Sequence, residues 1–82
     1  MNNTIYHHAD VQINPRLPKP GIKNIAEEFA TSANQIDPAY GVKPVDTKQG
    51  IYRIGVTGAG ANQIKAGHAA NRADISPDFY VG

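Results

Sequence analysis

The residues best suited to bind a metal ion are His7, His8 and Asp10, near the start of the chain. Imidazole nitrogens and carboxylate oxygens are common ligands of transition metals. The surrounding residues alternate between apolar and polar, which predicts a strand, and on a strand His7 points away from the other two. The remaining histidine, His68, is far away in the sequence. We therefore expect solvent-facing strand histidines, with no metal centre and no cofactor.

A glycine-rich motif is the second candidate for chemistry. The chain has the sequence Ile-Gly-Val-Thr-Gly-Ala-Gly from Ile54 to Gly60, within and after a predicted strand. This motif resembles the start of the phosphate-binding turn of dinucleotide-binding dehydrogenases, in which glycines let the backbone approach a pyrophosphate. It lacks the third glycine, since Asn62 and Gln63 stand there, and the second strand with its ribose-binding acid has no room. We interpret the motif as a bend after a strand and rank a nucleotide-binding enzyme third.

Other catalytic arrangements find no support in the sequence. There is no cysteine, so neither a thiol nucleophile nor a disulfide is available. Ser32 and Ser76 lack the neighbours of an activated serine, and Glu27 with Glu28 is typical of a solvated helix face. We predict that the protein is not an enzyme.

Positive charge is concentrated in the middle of the chain, although the formal net charge is only +1. Residues 41–73 contain five cations and one carboxylate, Asp46. The candidates for phosphate contact are Lys43, Lys48, Arg53, Lys65 and Arg72. Five dispersed cations are few for a dedicated nucleic-acid binder, so nucleic acid is the alternative partner.

The most regular element in the sequence is an amphipathic helix within residues 21–36. Its apolar positions are Ile22, Ile25, Ala26, Phe29, Ala30, Ala33 and Ile36. This spacing places them on one face over about four turns. Pro38 ends the helix, because proline disfavours helical backbone in the residue before it.

Strands account for most of the remaining regular pattern. Nine isoleucines and five valines against one leucine favour strands over a helical bundle. Alternation predicts a strand over residues 4–14. The proline-rich residues 15–20 then predict either a stiff connector, which we prefer, or a PxxP ligand of an SH3-type domain.

A β-hairpin follows the helix, with strands over residues 42–46 and 51–57 joined by a turn. Gly41 is suited to a positive φ in the turn that precedes it. Gly55, inside the second strand, indicates a close backbone approach or a bulge.

The C-terminal third is rich in glycine and alanine, and the pattern leaves open whether residues 61–73 are helical. We therefore expect one small domain, residues 1–82, with a body (1–57) and an extended arm (58–82). The predicted class is α+β, comprising an N-terminal strand, one amphipathic helix, a β-hairpin and an extended Gly/Ala-rich C-terminal arm.

Large apolar side chains near the C-terminus point to a partner. Four such residues in nine are too many for a solvated tail, and aromatic residues commonly anchor interfaces. The expected partner-binding residues are Phe29, Ile75, Phe79, Tyr80 and Val81. We expect residues 79–81 to lie against another polypeptide rather than against the chain's own helix.

These features favour a non-enzymatic structural or accessory subunit of a larger assembly, such as a bacteriophage virion protein that cements capsid or tail subunits. The alternative is a small nucleic-acid-contacting or regulatory module that uses residues 41–73. The sequence shows neither the pattern of a signal peptide nor an apolar run of transmembrane length. We therefore expect a virion or cytoplasmic location and no contact with a membrane.

Overall fold

An antiparallel sheet lies against two short helices in the structure, a computed structural model that describes residues 3–82. The strands are β1 (Ile5–Gln12), β2 (Lys43–Asp46), β3 (Ile51–Val56) and β4 (Ala73–Val81). The helices are α1 (Ile22–Glu28) and α2 (Gly58–Ala66), with 3-10 turns at Ala33–Gln35 and Ala70–Arg72. The predicted α+β class is confirmed.

The strands are ordered β2-β3-β1-β4, and neighbouring strands are antiparallel. Because α1 connects β1 to β2 and α2 connects β3 to β4, the element order is β-α-β-β-α-β. This is the split β-α-β, or ferredoxin-like, arrangement. It makes β2 and β4 the edges of the sheet and places both helices on one face.

The core lies between the helices and that face of the sheet. Alternate residues of the central strands point into it, among them Val11 of β1 opposite Tyr52 of β3. The helices and turns contribute Ile25, Ala26, Phe29, Ile36, Ala61, Ile64 and Ala69. The predicted first strand is thus confirmed. Of the predicted apolar face of the helix, Ile25, Ala26, Phe29 and Ile36 are buried, whereas Ala30 and Ala33 are exposed.

The first helix is shorter than its apolar pattern predicts. Helix α1 ends at Glu28 because Ala30 adopts a left-handed backbone with φ of 60°. The Thr31 N–H then donates to the Ala26 carbonyl at 3.0 Å, the bond that closes a Schellman motif. Ile36 still enters the core, but through a separate 3-10 turn. Among residues 3–82, no helix is long and apolar enough to cross a bilayer.

The C-terminal third is an integral part of the sheet and not an arm beside it, so this expectation is corrected. Helix α2 begins after Thr57, whose hydroxyl accepts a hydrogen bond from the Gly60 N–H at 3.0 Å. Ile64 anchors the helix in the core. Strand β4 then pairs with β1, with an irregularity around Pro77 where the register shifts.

The connections follow the predicted turn chemistry. Gly41 and Gly50 both have φ of 75°, the left-handed region that glycine adopts without strain. The proline-rich segment begins as a tight turn, with the Leu17 N–H donating to the Asn14 carbonyl at 3.1 Å. A turn at Pro15 and Arg16 is not the extended polyproline conformation that an SH3-type ligand requires.

Replacing the largest fully buried side chain of the core tests this architecture. Phe29 is fully buried, so Phe29→Ala is expected to lower the free energy of unfolding by about 3–5 kcal/mol. The matched control is Glu27→Ala on the exposed side of the same helix, with an expected change within about 0.5 kcal/mol. Urea unfolding followed by circular dichroism measures both, and equal losses would contradict the assigned helix face.

Candidate functional site

The face of the sheet opposite the helices carries a tyrosine that crosses three strands. Tyr80 starts on β4, stacks on His8 of β1 with ring centroids 4.8 Å apart, and passes over Gly55 of β3. Its hydroxyl donates a hydrogen bond to Asp37 Oδ2 at 2.9 Å. We call this surface the open face; Tyr80 ties it together from one edge strand to the segment before β2.

Gly55 is required for this crossing. A Cβ atom added at Gly55 would lie 1.9 Å from Tyr80 Oη, far inside contact distance. The pattern predicted a close backbone approach or a bulge at this glycine. The register with β1 is unbroken there, and the group that comes close is instead a side chain of the same sheet.

Asp37 is the buried acceptor at the end of the crossing, with only 6% of its surface exposed. Its Oδ1 accepts a hydrogen bond from the Ala39 N–H at 2.9 Å, and its own N–H donates to the Gly55 carbonyl at 2.8 Å. Because both carboxylate oxygens and the backbone N–H have partners, Asp37 holds the turn of residues 37–41 onto the sheet. This carboxylate is therefore used for structure.

Aromatic rings cluster around the crossing. Tyr40 lies 5.1 Å from His8 and 5.8 Å from Tyr80, and Tyr6 stacks on Tyr80 at 5.6 Å. The ammonium group of Lys43 lies 4.4 Å from the centroid of the Tyr40 ring, within cation–π range. Much of the surface of these rings is therefore in contact with the other rings of the cluster.

The predicted phosphate-contacting Arg53 is paired within the sheet. Its Nε and one terminal nitrogen donate to the two carboxylate oxygens of Asp10 at 2.6 and 2.9 Å. This bidentate hydrogen bonding, together with the charge of Asp10, raises the pKa of Arg53 above its usual value. Arg53 therefore stays charged, but its charge is balanced by a neighbour on the adjacent strand.

The other predicted cations are not brought together. Arg72 donates to Glu28 Oε2 at 2.7 Å and to the Gln12 carbonyl at 3.2 Å, which joins β4's start to α1. Lys48 lies in the turn between β2 and β3, and Lys65 lies on the exposed side of α2. The five candidates are distributed over several surfaces.

The histidines have separate environments. His8 belongs to the open face, while His7 Nδ1 lies 3.0 Å from the Asp78 carbonyl oxygen and its ring contacts Phe79 on the helix side. Within residues 3–82, no group of three or more histidine, aspartate and glutamate side chains is arranged to hold a metal ion. What the structure offers at these positions is hydrogen bonding within the sheet.

The glycine-rich motif forms a strand–turn–helix unit. Thr57 caps α2 and also donates to the Gln35 side chain. A Cβ at Gly60 would lie 2.9 Å from the Cβ of Gln35, so the 3-10 turn packs closely against this part of the helix. The motif serves helix capping and packing between these segments.

Three of the five predicted partner-binding residues make their contacts within this chain. Phe29 is fully buried in the core, and Ile75 packs against it. Tyr80 lies on the open face of its own sheet, so the expectation that residues 79–81 together face another polypeptide is corrected for this residue. The reason is strand alternation, which turns Tyr80 to the face opposite its two neighbours.

The other two form an exposed patch with a residue that the sequence analysis did not select. Phe79 and Val81 are 63% and 61% exposed, and Ile5, directly opposite Val81, is 49% exposed. We call these three side chains the apolar edge patch. β1 and β4 extend here beyond β3, which ends at Val56, and neither helix described in residues 3–82 covers them. The alternation of β1 predicted the face on which Ile5 lies but not that this end would stay uncovered.

Comparison with protein-family models, with curated proteins and with solved structures gave no match for this chain.

A methyl group at Gly55 tests the crossing of Tyr80. Gly55→Ala is expected to displace the tyrosine and lower the free energy of unfolding by about 1–3 kcal/mol. The control is Gly58→Ala, where a Cβ meets nothing within 4 Å and the better helix propensity of alanine favours a small gain. In a Tyr80→Phe background the cost of Gly55→Ala should shrink, because the hydroxyl that it meets is gone. Additive losses from the two changes would show that the crossing is assigned wrongly.

The titration of Tyr80 gives a pH dependence with a definite sign. Burial raises the pKa of Tyr80 above its usual value, and the hydrogen bond to Asp37 and the charge of that carboxylate raise it further. An unfolded tyrosine titrates at about pH 10, so the unfolded state loses this proton first and stability falls as pH rises above about 10. Below that pH the contribution is fully present.

Urea unfolding of the wild type and of Tyr80→Phe at a series of pH values isolates this effect. Tyr6, Tyr40 and Tyr52 are common to both chains, so the difference between their curves reports Tyr80. The wild type should lose more stability than the variant above about pH 10. Parallel curves would mean that the phenol is not held in its neutral form by the fold.

Proposed function

We propose that this chain is a non-enzymatic structural or accessory subunit that binds another protein through the apolar edge patch. The observation that carries the proposal is the clustering of Ile5, Phe79 and Val81, each about half exposed or more, at one end of the sheet. Full burial of a large apolar side chain contributes about 1.5–3 kcal/mol. Three neighbouring side chains of this kind can supply much of the free energy of a specific contact.

The distribution of polar contacts supports the same location. On the open face, Asp10 pairs with Arg53 and Asp37 with Tyr80. Groups that satisfy one another have little left to offer a ligand, whereas exposed apolar side chains gain from any partner that removes them from water. The apolar edge patch therefore has more to gain from binding than the open face.

Contact with nucleic acid is the second candidate, and Lys43 beside Tyr40 is the observation in its favour. Proteins that bind single strands combine aromatic rings with positive charge, so that bases stack and phosphates are neutralised. On this open face the rings already pack together, and Arg53 is balanced by Asp10. We therefore place this function second.

Substitutions on the two surfaces separate the candidates. Phe79→Ser and Val81→Ser remove the apolar edge patch, while Lys43→Ser removes an exposed cation from the open face. Size-exclusion chromatography of extracts from cells that make the chain, or from particles that contain it, measures the fraction of the chain that is in a large complex. The apolar substitutions should each lower the association constant about tenfold, since about 1.4 kcal/mol corresponds to that factor.

The controls define what would contradict the proposal. Both apolar positions are exposed, so the melting curves of these variants should match the wild type. Loss of the complex with Lys43→Ser and on nuclease treatment, but not with Phe79→Ser, would favour nucleic acid instead. A bacteriophage virion stays the first assembly to examine, and mass spectrometry of purified particles detects the chain if it is a component.

A further inference from the structure

The backbone of β4 has a defined hydrogen-bonding direction at its C-terminal end. The Gly82 N–H donates to the Thr4 carbonyl at 2.9 Å, so Gly82 bonds toward β1. In an antiparallel pair the direction of the backbone N–H and C=O groups alternates along the strand. Those of Tyr80 therefore also point toward β1, whereas those of Phe79 and Val81 point outward. In the described part of the chain no strand lies on that outer side.

The pattern on β1 agrees with this assignment. The Ile13 N–H donates to the Gly50 carbonyl at 2.9 Å, so odd-numbered residues of β1 bond toward β3. Even-numbered residues then bond toward β4, as the pairing of Tyr6 with Tyr80 requires. The outward direction of Phe79 and Val81 thus follows from two independent hydrogen bonds.

The features that usually protect an edge strand from pairing with another strand end just before residue 79 of β4. Pro77 has no N–H to offer, and the register of β4 against β1 shifts beside it. Proline and bulges both discourage strand addition. From residue 79 onward the edge has none of these features and carries two exposed apolar side chains instead.

Charge selects the kind of strand that can be added. β4 contains two carboxylates, Asp74 and Asp78, and no lysine or arginine. Both residues are exposed, and neither belongs to an ion pair among residues 3–82. A complementary strand therefore carries lysine or arginine beside its apolar residues.

A second copy of this chain is a poor occupant of the edge. Two copies of β4 would place acidic strands side by side, which like-charge repulsion disfavours. Residues 79–82 with Ile5 are five positions a side, whereas a stable interface uses about 20–30 residues a side. An extended segment of another protein can instead carry the lysine or arginine that a second copy of β4 lacks.

We propose that residues 79–82 accept an extended segment of another protein as an added strand of the sheet. The segment bonds to the outward N–H and C=O groups of Phe79 and Val81. Its alternate apolar side chains lie against the apolar edge patch, and a lysine or arginine faces Asp78. This mode of recognition rests on the proposed function and specifies the chemistry of the partner.

Selection from a displayed library of random peptides of about ten residues tests the proposal. The full chain is the target, and Val81→Pro takes no part in the selection, so that it serves afterwards as an unbiased comparison. Proline removes the outward N–H, keeps an apolar side chain, and is tolerated on the edge of a sheet. Enriched peptides should show apolar residues at alternate positions and at least one lysine or arginine; no enrichment, or enrichment without this pattern, overturns the proposal.

Two variants at one position separate backbone recognition from side-chain contact. Val81→Ala trims the side chain but keeps the N–H, while Val81→Pro does the reverse. Val81→Pro should weaken binding of a selected peptide about tenfold more than Val81→Ala, the factor expected for one well-formed hydrogen bond. Equal weakening by both overturns strand addition and leaves the apolar edge patch as the binding surface. Full binding by both overturns strand addition and the proposed function together.

Hydrogen exchange on the wild-type chain gives a second readout, which does not depend on how the proline variant folds. Adding a selected peptide should slow exchange of the Phe79 and Val81 amides about tenfold or more, with Tyr80 changing less because its N–H already bonds to β1. Slowed exchange confined to open-face residues would overturn the proposal.

Discussion

The hydrogen bond from Tyr80 to Asp37 is the contact on which the order of this small fold depends. It joins β4 at one edge of the sheet to the segment before β2 at the other side of β3. Tyr40 adds ring contacts with His8 and Tyr80 from the same segment, and both described helices lie on the opposite face. The Asp37 carboxylate is itself buried and fixes the far end of the Tyr80 side chain.

This use of the open face explains why function is better sought at the edge. Tyr80 takes up the space above His8 and Gly55, and Asp10 holds Arg53 beside them. Where the sheet is widest, its open face is therefore covered by its own side chains. Within residues 3–82, the end where only β1 and β4 continue keeps exposed apolar side chains.

Local patterns predicted the first strand, the buried residues of α1 and the hairpin, and they marked Gly55 as unusual without indicating that a side chain crosses it. They could not predict α2, because Ile64 is its only large aliphatic residue and its capping residue Thr57 stands among glycines. They also missed the pairing of β4, since partners far apart in sequence leave no local trace and Pro77 argues against a strand. At the site, the apolar composition of the C-terminal residues indicated Phe79 and Val81. The exposure of Ile5 could not be predicted in this way, because it depends on which end of the sheet the helices do not cover.

The pairing of the last strand with the first also sets the order of events during synthesis. His7 and the Asp78 carbonyl that it contacts are 71 residues apart, so β1 emerges long before the strand that completes it. Until β4 has emerged, the N–H and C=O groups of the even-numbered residues of β1 have no hydrogen-bond partners in the sheet. Asp37 likewise lacks the hydroxyl of Tyr80. Contacts of such high sequence separation make folding slow for a chain of this size. A nascent chain is therefore most exposed to mispairing along β1, and release of β4 is the step that ends that interval.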